Sequence, residues 1–229
     1  MGQITIRELE KLDFFEGIPQ DILQNLLNES TVASYKKKEV IFHSRTRTEF
    51  VYFVLSGEVM LYNLTKHGNR KVIFILGKGR LLNQSIVSKK PNALFGEAVC
   101  PVQALKIPEG VFLRFMEQCH ELTYSILREY ERNLWRMGHQ LKNTTGNMQT
   151  ERKIAAKLWK LGRDFGVETE EGVMVDIDLT ITLMADLVGV PRENVSRACK
   201  VLTDRGLIYY SSKRFILIDF DGLADFYKM

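Results

Sequence analysis

The chain has 229 residues, and its 32 Lys and Arg against 28 Asp and Glu leave a formal charge of +4. This length exceeds one average domain and allows two, and 45% hydrophobic residues can bury real cores. No apolar run approaches the ~20 residues of a membrane span, the acidic start M-G-Q-I-T-I-R-E-L-E is unlike a secretory signal, and the scattered Cys100, Cys119 and Cys199 argue for a reducing cytoplasm over a disulfide framework.

Taken in chain order, Ile6 to Asn28 carry Leu9, Leu12, Phe14, Phe15, Ile18, Ile22, Leu23, Leu26 and Leu27. That spacing predicts short helices broken at Gly17-Ile18-Pro19. From Val32 to about Ile107 the pattern changes to strands. Val40-Ile41-Phe42, Val51–Leu55, Val59–Tyr62 and Val72–Leu76 are short β-branched and aromatic runs. Ser56-Gly57 and His67-Gly68-Asn69 supply turns between them. Strands at this spacing predict a compact β-roll or barrel.

Helical spacing returns from Glu109 to Lys142. Leu127, Tyr130, Leu134, Met137 and Leu141 alternate steps of three and four, the seam of a coiled coil that would join two copies of the chain. An amphipathic helix packed on its own domain has the same spacing. Gly138 interrupts the seam, weakening the helix by up to ~1 kcal/mol relative to alanine. N-T-T-G-N-M-Q-T then reads as a polar hinge with its pivot at Asn147–Thr150, and E-R-K-I-A-A-K-L-W-K-L as the next helix. The expected fold class is α+β, divided into an N-terminal roll (1–108), a long dimerisation helix (109–146) and a C-terminal domain (147–229).

The segment from Thr180 to Ile208 reads as two short helices joined by a tight turn, followed by a β-wing. Thr180 or Thr182 can cap the first helix, and Leu183, Met184, Leu187 and Val188 form its apolar stripe. Gly189 suits a left-handed end, and Pro191 suits the first turn of the next helix. In that second helix Val195, Ala198, Cys199 and Leu202 line one face, while Arg192, Glu193, Ser196, Arg197 and Lys200 line the other. Helix-turn-helix units place the second helix in the major groove, its N-terminal residues nearest the bases. An arginine fork binds O6 and N7 of guanine, and a glutamate accepts from N4 of cytosine. Local charge agrees: between Arg192 and Arg214 six basic side chains face only Glu193 and Asp204.

The string V-G-V-P-R-E-N-V-S-R-A-C-K-V-L, with the following G-L-I and F-I-L-I-D, resembles the DNA-binding domain of the cyclic-AMP receptor/fumarate-nitrate regulator (CRP/FNR) family. The segment F-V-Y-F-V-L-S-G-E-V-M-L-Y, with K-H-G-N-R-K-V and L-G-K-G behind it, resembles the cyclic-nucleotide-binding β-roll of the same family. The resemblance implies that Arg192, Glu193 and Arg197 read bases, with Asn194 and Ser196 at positions that are small or polar in relatives. It also implies a palindromic site with a TGTGA-like half, and a wing whose Lys213 and Arg214 sit near phosphate. A homodimer on double-stranded DNA follows, with RNA polymerase as a further partner of an activator and no membrane association.

In cyclic-AMP-binding relatives the phosphate cassette runs Gly-Glu-Leu and, after a gap, Arg-Ser-Ala. Alignment on Gly79 puts Asn83-Gln84-Ser85 at the first triplet and roughly Lys90-Pro91-Asn92 at the second, so the glutamate and the arginine are both lost. Replacing a bidentate guanidinium on a cyclic phosphate is not conservative, even with Lys89 or Lys90 nearby. An iron–sulfur sensor needs four cysteine ligands, and none precedes Cys100. The expectation is a regulator, not an enzyme, without cofactor or metal. Its effector would be a small molecule other than cyclic AMP, lying between the roll and the long helix near Gln84, Ser85, Lys89, Lys90, Tyr130 and His139. A ligand-independent regulator and a cyclic-nucleotide-responsive one with a divergent cassette are the alternatives.

Overall fold

The computed structural model describes residues 4–144 and 148–228, without the side chains of 142–144. They form two compact units: Met1–Asn63 with Ile73–Gly138, and Leu64–Val72 with His139–Met229. The predicted pivot falls partly outside the described residues, which omit 145–147; Thr150 itself opens a helix behind Gln149.

The first unit begins with α1 (Ile6–Glu10), a 3-10 turn (Asp13–Phe15) and α2 (Gln20–Asn28). Thr5 and Glu8 close a reciprocal capping box on α1. The strands that follow are β1 (Thr31–Tyr35), β2 (Val40–Phe42), β3 (Phe50–Ser56), β4 (Val59–Leu64), β5 (Arg70–Leu76), β6 (Phe95–Ala98) and β7 (Val102–Pro108). They make a three-stranded sheet, β1-β7-β3, and a four-stranded sheet, β2-β6-β4-β5. β3 runs antiparallel to β7, with Val51 opposite Ile107, and β4 runs antiparallel to β6, with Leu61 opposite Gly96.

Strand alternation decides what covers each face. Tyr52 and Val54 of β3, with Val102 and Ala104 of β7, meet Phe42, Leu61, Phe74 and Leu76 of the other sheet. Val51, Phe53, Leu105 and Ile107 point the other way, into a core shared with the helices. There the rings of Phe14 and Phe15 sit 4.5 and 4.9 Å from that of Phe53, within the range of favourable aromatic pairs.

The segment predicted as one helix is two. α3 (Glu109–Gln118) ends at Cys119, whose extended backbone (φ −131°, ψ 110°) starts α4 (His120–Thr144) in a new direction. Phe112 and Phe115 of α3 and Leu122 and Ile126 of α4 lie in the helix-side core. Residues 109–138 are therefore part of the roll's unit.

The second unit holds α5 (Thr150–Phe165), β8 (Gly166–Thr169), β9 (Gly172–Val175), α6 (Ile181–Val188), α7 (Arg192–Asp204), β10 (Ile208–Ser211), β11 (Arg214–Leu217) and α8 (Phe220–Lys228). Its sheet runs β10-β11-β9-β8, so the wing extends a second hairpin, β8-β9, that the residue pattern does not announce. The Trp159 ring stacks on Phe220 at 5.8 Å and joins α5 to α8.

Two glycines set the backbone of this unit. Gly189 is left-handed (φ 78°) with open space where a Cβ would go. Gly172 has φ 133°, and a Cβ there would lie 2.4 Å from the Leu217 carbonyl oxygen. Urea unfolding of the Gly189→Ala chain should show a loss of about 1–2 kcal/mol, the left-handed penalty alone. Gly172→Ala should lose more, because backbone must move as well.

Candidate nucleic-acid interface and effector region

Thr180 is the cap of α6: its hydroxyl accepts from the Leu183 N–H at 3.0 Å. Gly189 closes the helix, its N–H donating to the Ala185 carbonyl at 2.8 Å. Pro191 stands one position earlier than expected, at the cap of α7 and not inside its first turn, so that Arg192 is the first helical residue.

Val195, Ala198, Cys199 and Leu202 are buried. The opposite face carries Arg192, Glu193, Ser196, Arg197 and Lys200, all exposed. Alternating steps of one and three keep these positions on one side of the cylinder. Asn194 is half-buried, and its side-chain oxygen accepts a hydrogen bond from the Arg197 guanidinium. It holds the arginine in place, a more definite role than that of a small or polar neighbour. Glu193 lies in the first turn, where the helix dipole favours a carboxylate.

At the wing, Ser212 and Lys213 make the two-residue turn, both with positive φ (50° and 65°). Arg214, expected near phosphate, is the first residue of β11, opposite Ser211. Its guanidinium donates to Asp176, so it is engaged within the unit, while Lys213 is exposed at the tip.

The seam residues Leu127, Leu134, Met137 and Leu141 are exposed on α4, together with Tyr124 and Trp135. Tyr130 departs from that face. It packs against the roll's core near Ile86, and burial pushes its hydroxyl up to about 12. The ordinary amphipathic reading of the helix therefore applies to its inner face, on which Tyr130 lies.

The expected effector residues are only partly brought together. Gln84 is used inside its own loop, donating to the Leu82 carbonyl at 2.9 Å and accepting from the Leu94 N–H at 3.3 Å. The Ser85 hydroxyl meets that of Ser88 at 2.7 Å and accepts from the Lys90 N–H. Lys89 (φ 52°) and Lys90 are exposed. Ile86, next to Ser85, joins the core cluster on which Tyr130 packs. His139 is exposed and belongs to the second unit. Among the described residues, no group of three or more His, Cys, Asp or Glu could hold a metal ion.

Sequence reading missed the polar set on the inner face of α4. Glu129 is only 4% exposed. One of its oxygens accepts from Arg80 of the roll and from Arg132, each at 3.3 Å. Among the described residues, its other oxygen and the side-chain oxygen of Asn133 one turn on have no hydrogen-bond partner. Burial pushes the Glu129 carboxyl above the usual range, opposed by the charges of Arg80 and Arg136. The available signal was positional: Glu129 and Asn133 continue the inward stripe of Leu122 and Ile126.

Residues 32–119 match the Cyclic nucleotide-binding domain family, and residues 152–226 match the Crp-like helix-turn-helix domain family. The chain is 22% identical over 217 residues to the CRP-like cAMP-activated global transcriptional regulator of Mycobacterium tuberculosis, covering 94% of this chain and 96% of that one. It is 24% identical to the Global nitrogen regulator of Nostoc sp., over 80% of this chain and 83% of that one. The fold is similar to that of FixK2 from Bradyrhizobium japonicum (TM-score 0.74, 20% identity, 86% of this chain and 96% of that one). It is also similar to the c-di-GMP responsive regulator CLP from Xanthomonas campestris (TM-score 0.74, 16% identity, 87% and 99%).

The raised Glu129 carboxyl has a stability signature. A folded-state pKa above the unfolded one contributes stability that is full below the unfolded value and is lost as pH rises through the folded value. At neutral pH Glu129→Gln should therefore melt above the parent chain. The gap should close as pH falls through the carboxylate range, where the parent carries its own proton. Melting curves across pH test this; a variant less stable at neutral pH contradicts it.

Proposed function

Because the chain belongs to the CRP/FNR family of transcription regulators, we propose that it binds a palindromic, TGTGA-like DNA site as a homodimer. Each copy offers α7 to one half-site. The observation that carries this reading is the single exposed face of Arg192, Glu193, Ser196, Arg197 and Lys200 over a fully buried opposite face. Arg192 and Arg197 take guanine edges and Glu193 a cytosine amine, with Ser196 beside them. Lys200 and Lys213 meet phosphate, which positions the helix without reading sequence.

The homodimer is supported by the outer face of α4. Leu127 is 57% exposed, Leu134 72% and Leu141 62%, in line with Tyr124 and Met137. Apolar side chains at coiled-coil spacing on a long helix bury well against a second copy. A two-fold protein in turn suits a two-fold site, its recognition helices one helical turn of DNA apart at about 34 Å. The regulator acts in the cytoplasm, and where it activates, RNA polymerase is its further partner.

Control is assigned to a small molecule other than cyclic AMP, held beside α4 in the first unit. Two regulators with this architecture carry different ligands in their names, cAMP for one and c-di-GMP for the other. Here Gln84 and Ser85 are hydrogen-bonded into their own loop. That same observation favours a second reading, in which the roll is a dimerisation scaffold without ligand. A thermal-shift screen against metabolites and nucleotides separates the two, since a ligand that binds only the folded form raises its stability.

Arg197→Ala should reduce the preference for the palindrome over random duplex by about 1–3 kcal/mol, roughly five- to more than a hundredfold. Competition binding measures it, and unchanged preference refutes the base-reading role. Leu134→Glu should convert the dimer to monomer in sedimentation. A dimer that persists with unchanged affinity places the seam elsewhere.

A further inference from the structure

Between Val59 and Gly96 the chain holds seven Lys and Arg and neither Asp nor Glu, although its overall charge is only +4. Lys66 and His67 lie in the turn that links β4 to β5, and Arg70 and Lys71 open β5 directly after it; all four are exposed. The turn is stiff. The Thr65 N–H donates to the Asn69 carbonyl at 2.8 Å, and the Gly68 N–H donates to the Thr65 carbonyl at 2.9 Å. The Thr65 hydroxyl accepts from the Asn69 N–H at 3.1 Å. Lys66 and Lys71 carry like charges on one hairpin tip, and a polyanion relieves their repulsion.

Placement narrows the polyanion. Leu64–Val72 belongs to the same compact unit as His139–Met229, which contains α7. We propose that this hairpin tip is a second, sequence-independent DNA contact, laying Lys66 and Lys71 against phosphates that flank the site read by α7. It rests on α7 binding DNA and adds affinity without base preference. Each cation that neutralises a phosphate releases a condensed counterion, so the contact is written in the salt dependence of binding.

The test titrates the full chain and its Lys66→Ala/Lys71→Ala variant against two long duplexes of equal length, one with a TGTGA-type palindrome and one unrelated, at several salt concentrations. Both substitutions are at exposed positions, and circular dichroism checks the fold. The expected result is an equal loss of affinity for both duplexes. The slope of log K against log salt should flatten by about 0.9 for each phosphate no longer neutralised, close to two in all. A Lys66→Arg/Lys71→Arg chain should keep the parent slope. Superimposable slopes for parent and Ala variant overturn the proposal. If they accompany weaker transcription with RNA polymerase, the tip docks an acidic protein surface instead. If transcription is also unchanged, the tip is a solvated turn. A parent chain with no affinity for either duplex refutes the α7 reading itself, a result distinct from parent binding with an unaltered slope.

Discussion

Burial of Val195, Ala198, Cys199 and Leu202 beneath α7 is the constraint on which the interface depends. Fully burying the side chains of Val195 and Leu202 stabilises the fold by roughly 1.5–3 kcal/mol each. Successive helix positions are about 100° apart, so slipping the helix by one residue would expose part of that set and tuck Arg192 or Arg197 toward the core. Apolar packing thus sets the azimuth of the polar face. The caps at Thr180 and Gly189 fix where α6 starts and stops. Asn194 then restricts the reach of Arg197, which matters for the proposed base contact because a guanidinium fork reads guanine only in the right plane.

The first unit solves a different problem. One face of its three-stranded sheet packs on the second sheet and the other on helices. Into that mainly apolar helix layer α4 brings Glu129, tied to Arg80 of the roll across 49 residues of sequence. Removing two charges from water is expensive, and mutual attraction offsets this only with good geometry. Contacts of 3.3 Å and a carboxylate oxygen without a partner among the described residues are not good geometry. The pair is better understood as fixing how α4 registers on the roll than as a source of stability.

Much of this was legible in the residues. Val40–Phe42 is β2 as read, and the break at Gly17-Ile18-Pro19 separates the N-terminal turns from α2. The helix-turn-helix could be read because its cap, left-handed glycine, proline and two-faced helix reinforce one another. What escaped were features without local signals. All four residues of β8 are exposed, so it shows no alternation. Cys119 interrupts a helix with neither glycine nor proline to mark it. α8 did leave a sign, for Asp219 accepts from the Gly222 N–H at 2.8 Å as a cap would. The engagement of Arg214 by Asp176 joins residues 38 apart and belongs to the fold alone.

The wing tip carries a conflict between robustness and charge. Tight hairpin turns of this kind favour Asn-Gly, which takes up left-handed backbone without strain. Ser212 and Lys213 occupy it instead, each with a side chain that resists such a backbone by about 1–2 kcal/mol. Replacement by the relaxed dipeptide would harden the domain against heat while removing the Lys213 ammonium. Lysine at this position thus couples a softer hairpin to a cation at its apex.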